Sequence, residues 1–347
     1  MDELNIFLLL PDALLPWYEQ NKRDLPWRKD REPYHIWVSE IMLQQTRVEA
    51  VKGYYTRFLD KLPTIESLAV VQDDVLHKLW EGLGYYSRVR NLKKAACVVM
   101  EKYNGVFPTN YTDVLALPGI GEYTAGAICS IAYNKPIPAV DGNVLRVISR
   151  LTDDDTPIDT PVFKKTVQER LSDIYPQNAG DFTQALMELG ATICGPNRKP
   201  ECAQCPCSGF CLGYRRGTAE LLPVKTPKRK RSVEERTVFI LNYEGEYALK
   251  KRPSQGLLAD LWEFPNVSGK LDVASAMLEV ERMGLKPKEI LRTVEKKHIF
   301  THIEWQMRGV YIEVANKNIA FAWMTGVQIQ KTAALPTAFR QFCDVAE

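Results

Sequence analysis

Up to residue 214 the apolar positions recur at helical spacing, and from Thr237 they shift to the shorter period of strands. In the first stretch, Pro11-Asp12 can open a helix, and Arg23-Asp24-Leu25-Pro26-Trp27-Arg28 reads as a Pro-broken loop after it. Ile36, Trp37, Ile41 and Val48 fit one helical face, which also carries Glu40. Further helices are expected over 64–72, 73–81 and 86–103, with Gly82, Gly84 and Asn104-Gly105 as stops. Val144, Leu145, Val147, Ile148 and Leu151 form another periodic run. The pattern then predicts helices near 161–174, with Thr160 as cap and Pro161 at the first position, and over 182–193. No run before residue 214 reads as a strand, so the first domain is expected to be all-α. In the second region, 238–243 and 247–251 flank Glu244-Gly245-Glu246 like a hairpin. Residues 297–314 are rich in β-branched and aromatic types, and 272–283 reads as a helix stopped by Gly284. That pattern is α+β. The expected organisation is a helical domain over 1–214, a linker over 215–236 and an α+β domain over 237–347.

A chain of 347 residues with a 45% hydrophobic share can build two cores. The net charge is only +2, so any nucleic-acid footprint must be local. Lys225, Lys228, Arg229, Lys230 and Arg231 form a basic run broken by Pro223 and Pro227, which suits either a solvated tether or a phosphate-tracking strap. The N-terminus is acidic before its short apolar run at 7–10 and lacks the basic flank of an export signal. No apolar run reaches membrane-spanning length.

Of eight cysteines, five crowd into 194–211. Seven residues separate Cys194 from Cys202, two separate Cys202 from Cys205, and five separate Cys205 from Cys211, leaving Cys207 as the spare. Four thiolates can hold a [4Fe–4S] cluster or a tetrahedral zinc ion, and spacing alone allows both.

Two motifs carry candidate chemistry. Leu117-Pro118-Gly119-Ile120-Gly121 places a glycine-rich turn between two helix candidates, where Gly119 and Gly121 can take positive φ and the next helix opens with free N–H groups for a phosphate. Val140-Asp141-Gly142-Asn143 sets a carboxylate just before the next periodic run. The stretch Leu117 to Ile128, together with Val140 to Asn143, resembles the helix-hairpin-helix DNA glycosylases. Ser39-Glu40-Ile41-Met42-Leu43-Gln44-Gln45-Thr46 narrows the resemblance to the MutY adenine glycosylases. Gly256 to Pro265 resembles the Nudix-like C-terminal domain of that family.

The resemblance implies removal of adenine paired with 8-oxoguanine, or guanine, from duplex DNA after the base is flipped out. It implies Glu40 as general acid and then base, Asp141 as counter-charge to an oxocarbenium-like sugar, and Tyr123 and Asn143 as residues that hold them. Arg28 and Gln184 would read the adenine edge, Gln45 and Tyr85 would enter the duplex, and the amides near Gly119 and Gly121 would grip phosphate. Thr46, Leu83 and the Phe300-Thr301-His302 loop would surround 8-oxoguanine, with Thr301 where the family usually has serine. Cys194, Cys202, Cys205 and Cys211 would ligate a [4Fe–4S] cluster; the family usually has six residues in the first gap, and the extra one is expected to bulge out. Arg198 and Lys199 in that gap are candidates for DNA phosphates.

The Nudix-like domain offers Glu279 and Glu281 without the clustered Arg-Glu-x-x-Glu-Glu ligands of a hydrolase, so it is expected to serve recognition. Lyase relatives such as endonuclease III carry a lysine where this chain has Tyr123, which ranks a lyase below a monofunctional glycosylase. A non-catalytic iron–sulphur DNA-binding protein ranks lower still, given both Glu40 and Asp141. The expected protein is a monomer with duplex DNA as its partner and no membrane partner, cytoplasmic if the chain is bacterial. A chain ending near residue 220 is expected to keep base release and lose much of its preference for 8-oxoguanine.

Overall fold

Ile6, Leu10, Leu14 and Tyr18 recur every fourth residue and are all buried, so they form one continuous apolar stripe. Helix α1 (Glu3–Asn21) presents that stripe to a core shared with Val144, Ile148, Leu186 and Leu189. It runs straight through Pro11 and Pro16, which corrects the expected start at Pro11-Asp12. An interior proline costs about 3 kcal/mol. Each fully buried large apolar side chain returns roughly 2 kcal/mol, and the stripe has four of them.

The structure, a computed structural model, describes residues 3–196, 198–227 and 230–343. A 3-10 turn at Pro26–Arg28 follows α1. Then come α2 (Pro33–Leu43), α3 (Val48–Lys61), α4 (Ile65–Val70), α5 (Asp73–Leu79), α6 (Ser87–Tyr103) and α7 (Tyr111–Leu115). After these follow α8 (Glu122–Tyr133), α9 (Gly142–Thr152), α10 (Pro161–Ser172), α11 (Ala179–Thr192) and α12 (Leu212–Arg216). Among the described residues no strand precedes Ser232. Val48 opens α3 and does not extend α2, because Gln45 sits at φ 56 and breaks the helix between them. Thr160 caps α10 through the Phe163 N–H, with Pro161 at the first position. Among the described residues no helix is long and apolar enough to cross a membrane.

The chain forms two compact units. Residues 3–70 and 90–227 make one; 71–89 and 230–343 make the other. In the first unit, the stretch after α12 is fastened to the helices. Arg150 Nε donates to Leu222 O at 2.9 Å, Ile158 N to Val224 O at 3.1 Å, and Thr226 N to Asp159 Oδ1 at 3.0 Å. Residues 222–226 are thus docked and do not form a free tether. Lys228 and Arg229 of the basic run lie outside the described residues.

The second unit is built on a sheet of β1 (Ser232–Tyr243), β2 (Glu246–Lys251), β3 (Trp262–Glu263), β4 (Asn266–Ser268), β5 (Pro287–Ile299), β6 (Ile303–Val314) and β7 (Ala322–Thr325). Helices α13 (Val273–Arg282), α14 (Gly326–Thr332) and α15 (Thr337–Arg340) accompany it. The order is β3-β2-β1-β6-β5, with β4 also on β1 and β7 on β2; β1 and β6 pair in parallel, the other pairs antiparallel. Side chains of β1 alternate between two cores. Phe239 and Leu241 pack with Ala276 and Val280 of α13, whereas Val238 and Ile240 pack with Phe339 and Phe342. Asp272 caps α13 through the Ser275 N–H, and Gly284 (φ 76) follows its end.

The tightest backbone approach in the helical unit is at Gly126 of α8. A Cβ there would stand 2.3 Å from Pro138 O. Because the obstacle is backbone and not a movable side chain, Gly126→Ala should lose about 2 kcal/mol or more of unfolding free energy, read as a lower urea midpoint at unchanged slope.

Candidate active site

Helix α2 is buried on almost every face: Tyr34 and every residue from Ile36 to Met42 are withdrawn from solvent. Glu40 is therefore held in an apolar environment, with 4% of its surface exposed. Burial pushes its carboxyl up to about 7; the Tyr123 hydrogen bond and the charge of Arg28 pull the other way, and the charge of Asp141 pushes with burial. Tyr123, at the first turn of α8, donates its hydroxyl to Glu40 Oε2 at 2.6 Å. Glu40 can thus hold or give up a proton near neutral pH, as a general acid must.

Asp141 is the N-cap of α9. Its Oδ1 accepts the N–H groups of Asn143 (2.9 Å) and Val144 (2.8 Å), and its Oδ2 accepts Asn143 Nδ2 at 2.6 Å. Desolvation raises its pKa, against the pull of these donors and the charge of Arg146. The donors and the helix N-terminus favour the carboxylate. Arg146 in turn donates to Asn143 Oδ1 at 3.0 Å, so the amide that grips Asp141 is itself gripped.

Arg146 and Arg150 were not marked by the sequence pattern. Both are buried in α9. Arg146 Nε donates to Cys194 O at 3.0 Å, and Arg150 Nη1 donates to Cys194 Sγ at 3.3 Å. Their one sequence signal is two arginines a helical turn apart inside an apolar run that contains no acid. Cys194, Cys202, Cys205 and Cys211 line one cavity together with Val147, Leu151 and Leu189. None of them is in a disulfide, and Cys207 is buried beside them. Among the described residues no three His, Cys, Asp or Glu side chains converge closely enough to hold one ion. Asn197, in the longer first gap, lies outside the described residues. Arg198 and Lys199 pair with Glu201 (3.1 Å) and Glu220 (2.9 Å) of their own chain.

Arg28 joins a second buried acid that sequence reading missed. Glu188 of α11 has no exposed surface and accepts Arg28 Nη2 at 2.6 Å and Arg23 Nε at 2.5 Å. Burial alone would raise Glu188; the two guanidinium groups hold it below the usual carboxylate range. Arg28 also lies 5.5 Å from the ring of Tyr18. Gln184, one turn earlier on α11, donates to Gly180 O at 3.3 Å and is half-buried. In the hairpin turn Gly119 takes φ 77, with Asn91 where its Cβ would be, but Gly121 takes φ −99 and needs no glycine-only conformation. The expectation of positive φ therefore holds at Gly119 alone. Gly121 is the N-cap of α8, where a bare backbone leaves the helix start open. Gln45 is exposed in the left-handed region and Thr46 follows it, half-buried, with its hydroxyl on Gln44 O at 3.3 Å.

In the second unit Tyr85 is exposed at φ 47, and its hydroxyl lies 3.1 Å from Thr301 Oγ1. Leu83 is buried. Phe300 stacks edge-on between His298 (4.5 Å) and Trp305 (4.9 Å), which anchors the loop and leaves Thr301 and His302 exposed.

A buried acid poised near neutrality, a capping carboxylate and a hairpin between α7 and α8 define a helix-hairpin-helix glycosylase fold, followed by a Nudix-like domain. Residues 38–173 match the HhH-GPD superfamily of base excision DNA repair proteins, and residues 236–345 match the NUDIX domain. The solved structure of a thermostable thymine-DNA glycosylase aligns with a TM-score of 0.55 at 31% identity, covering 62% of this chain and 97% of that one. An endonuclease III–DNA complex at 23% identity (TM-score 0.53, 62% of this chain and 98% of that one) shares the fold. Human adenine DNA glycosylase is 36% identical over 95% of this chain and 72% of its own length, and that of Buchnera aphidicola 34% over 91% and 89%. The Arabidopsis thaliana enzyme is 39% identical over 87% of this chain, which spans 56% of that longer protein. The chain belongs to the adenine DNA glycosylase family of DNA N-glycosylases.

The raised pKa of Glu40 has a cost in stability. Between its ordinary 4.5 and about 7, the folded chain keeps a proton there that the unfolded chain has released. Stability therefore falls as pH rises through that window and stays lower above it. Glu40→Gln is neutral throughout. It should be more stable than wild type at about pH 8 by roughly 3 kcal/mol, with the gain shrinking toward pH 5, as urea melts at both pH values would read.

Proposed function

We propose that this chain removes adenine mispaired with 8-oxoguanine in duplex DNA, by hydrolysis and without strand cleavage. The observation that carries the reading is the pairing of Glu40, a buried acid near neutrality, with Asp141, a carboxylate gripped by N–H donors. Adenine must leave the stack to reach them. Glu40, protonated, gives its proton to an imidazole-ring nitrogen of the base, which makes adenine a competent leaving group. Asp141 faces the oxocarbenium-like sugar that remains, and Glu40, now a carboxylate, takes a proton from the attacking water. This divides two carboxylates between acid and counter-charge, as retaining glycosidases do. Tyr123 keeps the Glu40 carboxyl oriented and Asn143 keeps Asp141 oriented. Arg28, fixed by Glu188, and Gln184 supply polar contacts for the extruded base.

A lyase would need a free amine for a Schiff base. Tyr123 offers a phenol already bonded to Glu40, and Lys135 Nζ is engaged with Thr109 O at 2.7 Å. Both support the monofunctional reading. The exposed Thr301 and His302, on a loop anchored by Phe300, suit recognition of the opposite base. Cys194, Cys202, Cys205 and Cys211 would hold a [4Fe–4S] cluster. Four thiols around one cavity suit such a cluster. When bound, the cluster cross-links the 194–211 loop and supplies a one-electron redox couple.

The test is single-turnover cleavage of an adenine:8-oxoguanine duplex, run on denaturing gels with and without alkali. The wild type should nick only after alkali. Glu40→Gln and Asp141→Asn should bind the duplex and lose base release by about a hundredfold or more. Near-wild-type release by either variant removes that residue from the mechanism, and alkali-independent nicking by the wild type overturns the monofunctional reading.

Protein purified without oxygen should be brown and contain iron and sulphide, and Cys207→Ser should retain both. Stoichiometric zinc without iron would refute the cluster.

A further inference from the structure

The loop that carries Tyr85 holds one strained residue. Gly82 (φ 102) and Gly84 (φ 71) take left-handed backbone without steric cost, but Tyr85 (φ 47) takes it with a bulky side chain. The helix before it, α5, has seven residues, too few to persist alone in water. The conformation of 71–89 therefore draws on contacts beyond its own helix.

Local contacts supply part of the restraint. Trp80 Nε1 donates to Gly84 O at 3.1 Å, and Arg88 Nη2 donates to the carbonyls of Leu83 and Gly84, each at 3.1 Å. The Arg88 guanidinium also lies over the Trp80 and Tyr85 rings, at 5.3 and 5.5 Å. These contacts shape the loop from within. Tyr85 itself reaches the β5–β6 loop, its hydroxyl 3.1 Å from Thr301 Oγ1, but that contact is exposed. A sheltered attachment comes from the residue just before Gly82. Glu81 Oε1 accepts the Leu335 N–H at 3.0 Å, and Oε2 accepts Lys78 Nζ at 2.7 Å. Lys78 Nζ also donates to Ala333 O at 3.2 Å. The receiving strip, Ala333 to Leu335, is fully buried and is tied to β3 through Trp262 N and Ala334 O. Glu81 is itself only 14% exposed, so its bonds are sheltered from water. The pair of Asp74 and Lys251, 2.7 Å apart, is about half-exposed and contributes less.

We propose that Glu81 is a positioning residue for base extrusion: by accepting the Leu335 N–H and the Lys78 ammonium, it seats 71–89 on the second unit and fixes the posture in which Tyr85 meets DNA. This rests on reading Tyr85 as the residue that enters the duplex. Glu81 itself does no chemistry. Its effect passes through the loop.

Two measurements on the full chain test it. The first needs no DNA: hydrogen exchange at the amides of 82–86 should be at least about tenfold faster in Glu81→Ala, since a charged hydrogen bond anchoring the loop is lost. Glu81→Gln, which can still accept the Leu335 N–H, should recover part of the protection. The second is a double-mutant cycle in single-turnover adenine release. Glu81→Ala should slow the wild type about tenfold but change a Tyr85→Leu background by less than twofold, because both act at one step. Unchanged exchange at 82–86, or equal slowing on both backgrounds, overturns the proposal. Should Glu81→Ala fail to fold, Lys78→Met removes the ammonium from the same carboxylate and is read in the same two ways. If the wild type released no adenine, the proposed function would fall, whereas the exchange result would still decide whether Glu81 seats the loop.

Discussion

Taking a carboxylate out of water is costly unless it is neutralised or paired. The helical unit does this with Glu40 and Glu188 and partly with Asp141, and it resolves each differently. Glu40 has one hydroxyl and an apolar helix around it, so it is eased by taking a proton near pH 7. Glu188 has two guanidinium groups and stays ionised. Asp141 has the amide donors at the start of α9. Three acids of similar intrinsic strength thus acquire different protonation behaviour from their surroundings alone. The division of labour proposed for Glu40 and Asp141 follows from that difference.

Helix α9 makes the arrangement rigid. One end is capped by Asp141 and the body is pinned by Arg146 and Arg150 to the backbone and sulphur of Cys194. Its apolar side packs on α1, α10 and α11. Buried arginines inside a helix are expensive, and here each spends donors on backbone carbonyls, Arg146 on Gly190 O at the end of α11 and Arg150 on Gly195 O in the cysteine loop. The cysteine loop and the capping carboxylate are therefore parts of one packed body.

How much of this the sequence reveals depends on the range of the interaction. Asp141 as a cap, Thr160 before Pro161, and Gly284 after α13 are local, and their residue types announce them. The helical and α+β halves are legible from the change of period at Thr237. Pro11 misleads because local propensity opposes a stripe whose burial is tertiary. Gly121 misleads because glycine serves there for bareness and not for positive φ. Glu188 and the two buried arginines have partners dozens to more than a hundred residues away, and beyond the spacing of the two arginines nothing in their neighbourhood marks them. The same holds for 71–89. Its partners Leu335 and Thr301 lie 254 and 216 residues downstream of Glu81 and Tyr85.

That long-range attachment bears on how the chain is made. Glu81 and Leu335 are 254 residues apart. At a synthesis rate of about 5–20 residues per second, the Tyr85 segment leaves the ribosome roughly 13–50 s before its seat exists. In that interval the bonds of Glu81 to Leu335 and of Lys78 to Ala333 cannot form. The nascent chain thus passes through a stage in which the Tyr85 segment is made but not yet seated. In the cell that interval exposes the segment to chaperones and proteases. It also means that the strip at Leu335 completes an element encoded 254 residues earlier.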